Sequence, residues 1–327
     1  MKHGFEKLAV ALLAVLMTAG CGAQTVQTAQ PAEIAAQAVP MAAKTSGPAK
    51  AVPVAASAAP LSITPEASGK LTQKTDNAVI DYSNTADGYI MARYTGSTTA
   101  KLKAQVTGPS GVAYTYDLTA GKWAVFSLSD GNGSYKASIF QNVSGSKYAT
   151  VTSVSFTAEM KNDFAPFLLP NQYVDYSAAP NSVAKAKELT KGKKDTLEQV
   201  QAIYEFVVDH LTYDKEKAAN VKSGYLPVLD TVLAQKKGIC FDYAALMAGM
   251  LRSQGVPCKL VVGYAGKAYH AWINVYSEET GWVNGAIYFD GDSWKLMDPT
   301  FASSGKQSKE IMSYIGDGSH YTAKYIY

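Results

Sequence analysis

Charge of either sign is scarce in this chain: charged residues make up 17% of its 327 positions, and the net charge is +3. So small a balance supplies no strong field for nucleic acid or an acidic surface. No basic stripe interleaved with aromatics is present either, so no nucleic-acid partner is expected. Cysteine and histidine are scarcer still, at three and four residues. They include no Cys-x-x-Cys pair and no His-x-x-x-His spacing, which removes the usual basis for a zinc site, and no cofactor is expected. A long apolar run is missing near the start, where the apolar stretch at 8–17 has ten residues. As a helix it would reach about 15 Å, roughly half the hydrocarbon core, so it does not read as a spanning helix.

What that short run has is the right company. Lys2 and Lys7 precede it, and Thr18-Ala19-Gly20 follow it before Cys21. This is the charged, apolar and small-residue layout of an export signal over 1–21. Cys21 directly after Ala19-Gly20 resembles a bacterial lipobox, although Thr18 stands where the usual Leu would be. That resemblance implies lipidation of Cys21, a cell-surface location and membrane contact through the lipid anchor only. The plainer alternative is an ordinary cleaved signal. Residues 22–70 are mostly Ala, Pro, Thr, Gln and Val with almost no charge or aromatic side chain. Such a segment cannot bury enough apolar surface to offset its chain entropy and reads as a disordered tether.

From 76 to 160 the pattern changes to short alternating runs. Leu102, Ala104 and Val106 alternate with Lys101, Lys103 and Gln105, the period of a half-buried strand. Similar runs fall at 89–94, 114–118, 124–128, 135–140 and 151–158, with turn signals at 108–111 and 130–133. Six or seven short strands so spaced predict an all-β immunoglobulin-like sandwich, serving as a spacer or a ligand-binding module. Residues 162–176, with Pro166 and Pro170, read as an extended crossing into a second domain at 163–327. There a helix begins near Asp195-Thr196, with Thr196 and Gln199 at capping-box spacing and Leu197, Val200, Ile203, Val207 and Leu211 on one face. His210 on that helix reads as a surface or capping residue.

Residues 236–244 read Lys-Lys-Gly-Ile-Cys-Phe-Asp-Tyr-Ala and lead into a helix ending near Gln254, with Ala244, Met247, Met250 and Leu251 as its buried stripe. Cys240 is thereby placed at the first turn, where unpaired amides and the helix dipole favour a thiolate below the ordinary pKa of about 8.5. A disulfide from Cys240 to Cys258 fails on length. A helix of about fifteen residues separates its ends by about 20 Å, whereas a disulfide needs Cα atoms within about 7 Å. Cys258 then reads as a small buried strand residue. A strand over 269–276 carries His270, Trp272 and Asn274 on one face, and a strand over 294–298 carries Trp294, Leu296 and Asp298. Antiparallel pairing with His270 opposite Asp298 would let the carboxylate accept from the imidazole. It requires 277–292 to be an excursion closed by the Asp290-Gly291-Asp292 turn. That turn lacks the Gly and the terminal Glu of a calcium loop. Trp272, Trp282 and Trp294 could line a substrate groove or fill a core.

In sequence order, Gly-Ile-Cys-Phe-Asp-Tyr-Ala at 238–244, Leu-Arg-Ser-Gln-Gly-Val-Pro at 251–257, Gly263-Tyr264, His270-Ala271-Trp272 and Asp298-Pro299-Thr300 resemble the bacterial transglutaminase-like superfamily. The resemblance covers residues 182–327. It implies an α+β papain-like core and a catalytic triad of Cys240 as nucleophile, His270 as base and Asp298 as orienter. The implied chemistry is acyl transfer through a thioester on peptide or protein amides, with cell-wall peptide one possible substrate and water or an amine as acceptor. The Cys240 amide would form half of an oxyanion hole, and Gln235 is a candidate for the other half. The same resemblance admits members without activity, so a noncatalytic adhesin or wall-binding module on this fold stands as the alternative.

Overall fold

The computed structural model of the protein describes residues 63–283 and 287–327. The export signal, Cys21 and the tether as far as residue 62 lie outside the described residues.

Eight strands come first: β1 (Thr72–Thr75), β2 (Ala78–Asp81), β3 (Tyr89–Tyr94), β4 (Leu102–Thr107), β5 (Ala113–Leu118), β6 (Ala124–Ser127), β7 (Gly133–Ser144) and β8 (Lys147–Ala158). They form two antiparallel four-stranded sheets, in the orders β1-β2-β3-β6 and β5-β4-β7-β8. Alternation decides which side faces in. Leu102, Ala104 and Val106 of β4 and Tyr114, Tyr116 and Leu118 of β5 are buried. On the outer face, Lys103 pairs with Asp117 and Gln105 donates to Thr115. The inward side chains share one core with Ile80, Ile90 and Phe126 of the other sheet. β1 and β2 escape the alternation rule because β1 is a polar edge strand and all four residues of β2 are buried.

Residues 162–176 are not an extended crossing. Single 3-10 turns at Ala165–Phe167 and Tyr176–Ala178 flank an Asn171–Val174 bridge. Phe167, Leu169, Val174 and Tyr176 are buried, and Leu169 packs on Tyr89 and Met91. Pro166 sits inside the first of these turns, and the apolar side chains make the segment a packed join rather than an exposed link.

Next come α1 (Pro180–Thr190), α2 (Thr196–His210), β9 (Thr212–Tyr213), α3 (Lys215–Asn220), α4 (Leu229–Gln235), β10 (Lys237–Gly238) and α5 (Cys240–Ser253). The cap of α2 sits one residue earlier than the spacing suggested. Asp195 accepts from the Glu198 amide at 2.7 Å, and the Glu198 carboxylate accepts from the Lys194 amide at 2.8 Å. Asp and Glu at those places outcompete Thr196 and Gln199 because a charged acceptor at a helix N-terminus also meets the dipole. His210 is half-buried and acts as a cap on a neighbouring helix: its Nε2 donates to the Leu233 carbonyl in the last turn of α4 at 2.9 Å, tying α2 to α4. α5 is buried on every side except at Phe241, not along one stripe. It lies between α1, α2 and α4 and the sheet that follows.

That sheet comprises β11 (Cys258–Ala265), β12 (Ala268–Ser277), β15 (Ser293–Met297) and β16 (Tyr321–Ile326) in the order β15-β12-β11-β16, all pairs antiparallel. A hairpin of β13 (Thr280–Val283) and β14 (Ile287–Asp290) makes the expected excursion, and the short helices α6 (Pro299–Ser304) and α7 (Lys309–Asp317) precede β16. Helices on an antiparallel sheet make this portion an α+β core. The β12–β15 register differs from expectation by two residues: Asn274 faces Leu296 and Tyr276 faces Trp294. A shift of two preserves the side on which each residue points, so His270 and Asp298 still meet, but diagonally from beyond the end of the ladder. An aromatic seam joins the two portions of the chain. Tyr114 and Tyr116 meet Tyr327 edge-on, and Tyr173 stacks on Tyr327 with ring centroids 4.0 Å apart.

Candidate active site

Cys240 is the first residue of α5 and is 2% exposed. The turn that presents it is held from below by Asp242, whose carboxylate is fully buried. Its Oδ2 accepts from the Ile239 amide at 2.8 Å and from Lys217 Nζ at 2.7 Å, and its Oδ1 accepts from the Tyr225 hydroxyl. Gly238 completes this arrangement, since a Cβ there would fall 2.5 Å from Cβ of Asp242. The Gly-Ile-Cys-Phe-Asp run therefore has a physical reading. Glycine makes room for the aspartate, and the aspartate fixes the backbone just before the cysteine.

His270 lies on β12, 5% exposed, with its ring stacked on Phe301 at 4.5 Å. Its Nε2 is 2.6 Å from Oδ2 of Asp298. A carboxylate only accepts, so Nε2 carries the proton and Nδ1 is the nitrogen left for other work. Asp298, 0% exposed, follows β15 and caps α6, its Oδ1 accepting from the Phe301 amide at 3.0 Å. Pro299 explains the position: it ends the strand and starts the helix, where its missing N–H is no loss. α5 packs on β12 and on α6, and Tyr243, one turn after Cys240, reaches Ser303 of α6 at 3.3 Å. The helix that starts at Cys240 and the His270–Asp298 pair thus belong to one packed unit.

One partner escaped the motifs. Tyr321 of β16 donates its hydroxyl to Oδ2 of Asp298 at 2.8 Å. It sits far from any motif in sequence, in a short run with no signature. Gln235 is the exposed last residue of α4. Trp272 is buried beside Tyr321, whereas Trp294 packs on Phe164, Phe167 and Lys259. Cys258 has no disulfide, and burial pushes its thiol up to about 12, the state of a packing residue. Among the described residues no group of three or more His, Cys, Asp or Glu is placed to hold a metal. Asp290 is engaged instead by Ser293 and Lys295 within its turn.

Residues 183–286 match the family model described as the transglutaminase-like superfamily, a span that includes Cys240 and His270 and stops short of Asp298. Among curated proteins, the chain is 31% identical over 116 residues to kyphoscoliosis peptidase of Mus musculus, covering 36% of this chain and 17% of that protein. It is 28% identical over 120 residues to protein-glutamine gamma-glutamyltransferase of Pseudomonas aeruginosa, covering 32% and 18%. The chain thus spans less than a fifth of the length of these relatives. Among solved structures, the periplasmic domain of TgpA from Pseudomonas aeruginosa aligns at TM-score 0.33 and 16% identity, covering 77% of this chain and 81% of that one. Red sea bream transglutaminase aligns at 0.28 and 13%, covering 67% and 49%.

Proposed function

Taking residues 183–286 as a transglutaminase-like superfamily domain, we propose that the protein is a cysteine enzyme that transfers acyl groups from peptide or protein amides through a thioester on Cys240. The supporting observation is the buried 2.6 Å contact of His270 Nε2 with Asp298, in a core where the Cys240 helix packs on the His270 strand.

In this reading the Cys240 thiolate, favoured at the first turn of α5, attacks the amide carbonyl carbon. The Cys240 amide supports the oxyanion. The carbon–nitrogen bond breaks as protonated His270 gives its Nδ1 proton to the leaving amine. Water or a second amine then attacks the thioester, His270 takes the incoming proton, and the sulfur leaves as thiolate. Asp298 holds the Nε2–H tautomer through both halves and offsets the positive charge that forms on the ring. We place this chemistry outside the cell. The segment 1–21 acts as a signal with Cys21 lipidated, 22–70 as a tether, 76–160 as an immunoglobulin-like sandwich and 163–327 as the catalytic domain, with cell-wall peptide or surface protein as substrate.

Iodoacetamide near pH 6 is the test. Stoichiometric alkylation of Cys240, with Cys258 unlabelled and the reaction lost in His270→Ala, supports the pair; equal slow labelling of wild type and variant leaves a noncatalytic module. Incorporation of a fluorescent amine into a glutamine-containing protein, lost in Cys240→Ala, assigns transamidation. New termini or free acid without incorporation assign hydrolysis.

A further inference from the structure

Building on the roles given above to Cys240, His270 and Asp298, we propose that Tyr321 is a positioning residue of the same site, delivered to it by the close strand approach that Gly263 permits.

Oδ2 of Asp298 takes two donors, His270 Nε2 at 2.6 Å and the Tyr321 hydroxyl at 2.8 Å, while Oδ1 takes the Phe301 amide at 3.0 Å. A carboxylate held from three directions cannot turn about its own bond, so the imidazole bonded to it keeps one aim. The phenol stays a donor: burial first, and the Asp298 charge second, push its ionisation well above the ordinary value. Its ring stands edge-on to Trp272 with centroids 5.1 Å apart, and Trp272 is two residues from His270 on the same strand. The tyrosine is therefore fixed at both ends, ring and hydroxyl.

β16 is an edge strand, and its register on β11 breaks between Val262 and Gly263. Gly263 faces His270 on one side and Ala323 on the other. A Cβ there would lie 2.0 Å from the Thr322 carbonyl oxygen and 3.0 Å from Cα of Ala323. Only glycine lets β16 come this close, and the break in register sets Tyr321 opposite Ala265, from where it reaches Asp298. An alanine at 263 must push β16 outward and draw the hydroxyl off the carboxylate.

The pH dependence of Cys240 alkylation by iodoacetamide tests this in the whole chain without a known substrate, with peptide mapping to read Cys240 alone. His270→Ala is the reference for a lost pair. Tyr321→Phe keeps the ring on Trp272 and removes only the hydroxyl. Its alkylation at pH 6 is expected to fall about tenfold, one charge-assisted hydrogen bond's worth. The titration limb should move toward the ordinary thiol value of about 8.5, with the rate at pH 9 and the melting temperature little changed. Gly263→Ala, the independent arm, should move the limb the same way. A Tyr321→Phe profile that overlays wild type, while His270→Ala loses its rate at pH 6, overturns the role of Tyr321 and leaves the site assignment standing. A loss of equal size at pH 6 and pH 9 also overturns it, since that marks general damage. If wild type and His270→Ala coincide at every pH, the site assignment itself falls and this proposal with it.

Discussion

Arg252 should be the most sensitive structural residue of the core. Its side chain is 0% exposed, and burial lowers its pKa to about 10. It spends its donors on three main-chain oxygens from separate parts of the chain. Nε donates to Cys258 at 2.9 Å, and the two terminal nitrogens donate to Leu169 at 2.8 Å and Tyr327 at 2.6 Å. One guanidinium thus holds the join between the two portions, the start of β11 and the end of β16. Arg252→Met removes these bonds and leaves the Leu169 and Cys258 carbonyls short of a donor, while Tyr327 keeps the Leu260 amide at 2.9 Å. Each unpaired buried acceptor costs about 1–3 kcal/mol, partly offset by relief of the guanidinium's own desolvation. A net loss of about 2–4 kcal/mol follows, out of a total stability of about 5–15 kcal/mol. Arg252→Lys should be worse than Met, because a single ammonium keeps the buried charge and cannot span three diverging acceptors. Urea unfolding, with the m-value checked for constancy, measures both. A Met variant within about 0.5 kcal/mol of wild type refutes the reasoning, as does a Lys variant more stable than Met.

Other consequences follow from the same geometry. Asp298→Asn keeps the shape of the pair but presents an amide to Nε2, and it should lower turnover by about 10²–10⁴-fold; a loss under fivefold in single-turnover kinetics counts against an orienting role. Lys259, partly buried with Nζ 3.8 Å from the Trp294 ring centroid, is lowered by burial to about 8. Its unfolded value is about 10.4, so between those pH values the unfolded chain holds a proton that the folded one has shed, and stability should rise with pH. Attraction of the ammonium to the ring trims this to about 1–2 kcal/mol. Wild type should gain that much on Lys259→Met between pH 7 and pH 10.5, and a flat difference in denaturant midpoints sinks the idea.

Several elements could be read from residues alone because their causes are local. Alternation set β4 and β5, and the Gly255-Val256-Pro257 stop set the end of α5. Pro299 set the boundary that leaves Asp298 at a helix cap. Elements without a local signature were missed. β2 is buried throughout and so shows no alternation, and α1 begins on Pro180 with its free amides answered by Asp230, 48 residues away from Ser182. The packed join at 162–176 read as extended because Pro166 and Pro170 break regular structure wherever the burial partners lie.

Cys240, His270 and Asp298 stood out as candidates because each sits in a run whose neighbours have local work: glycine giving room, aspartate clamping a turn, proline ending a strand. By itself the sequence determined which side chains are candidates for reaction and on which type of element each is carried. Tertiary structure decided the β12–β15 register, the burial of α5 on nearly every side, the grip of Arg252 on three main-chain oxygens and the arrival of Tyr321 at Asp298. Those depend on contacts between strands and helices far apart along the chain, where backbone approach and the filling of space, rather than the period of any one segment, select the partner.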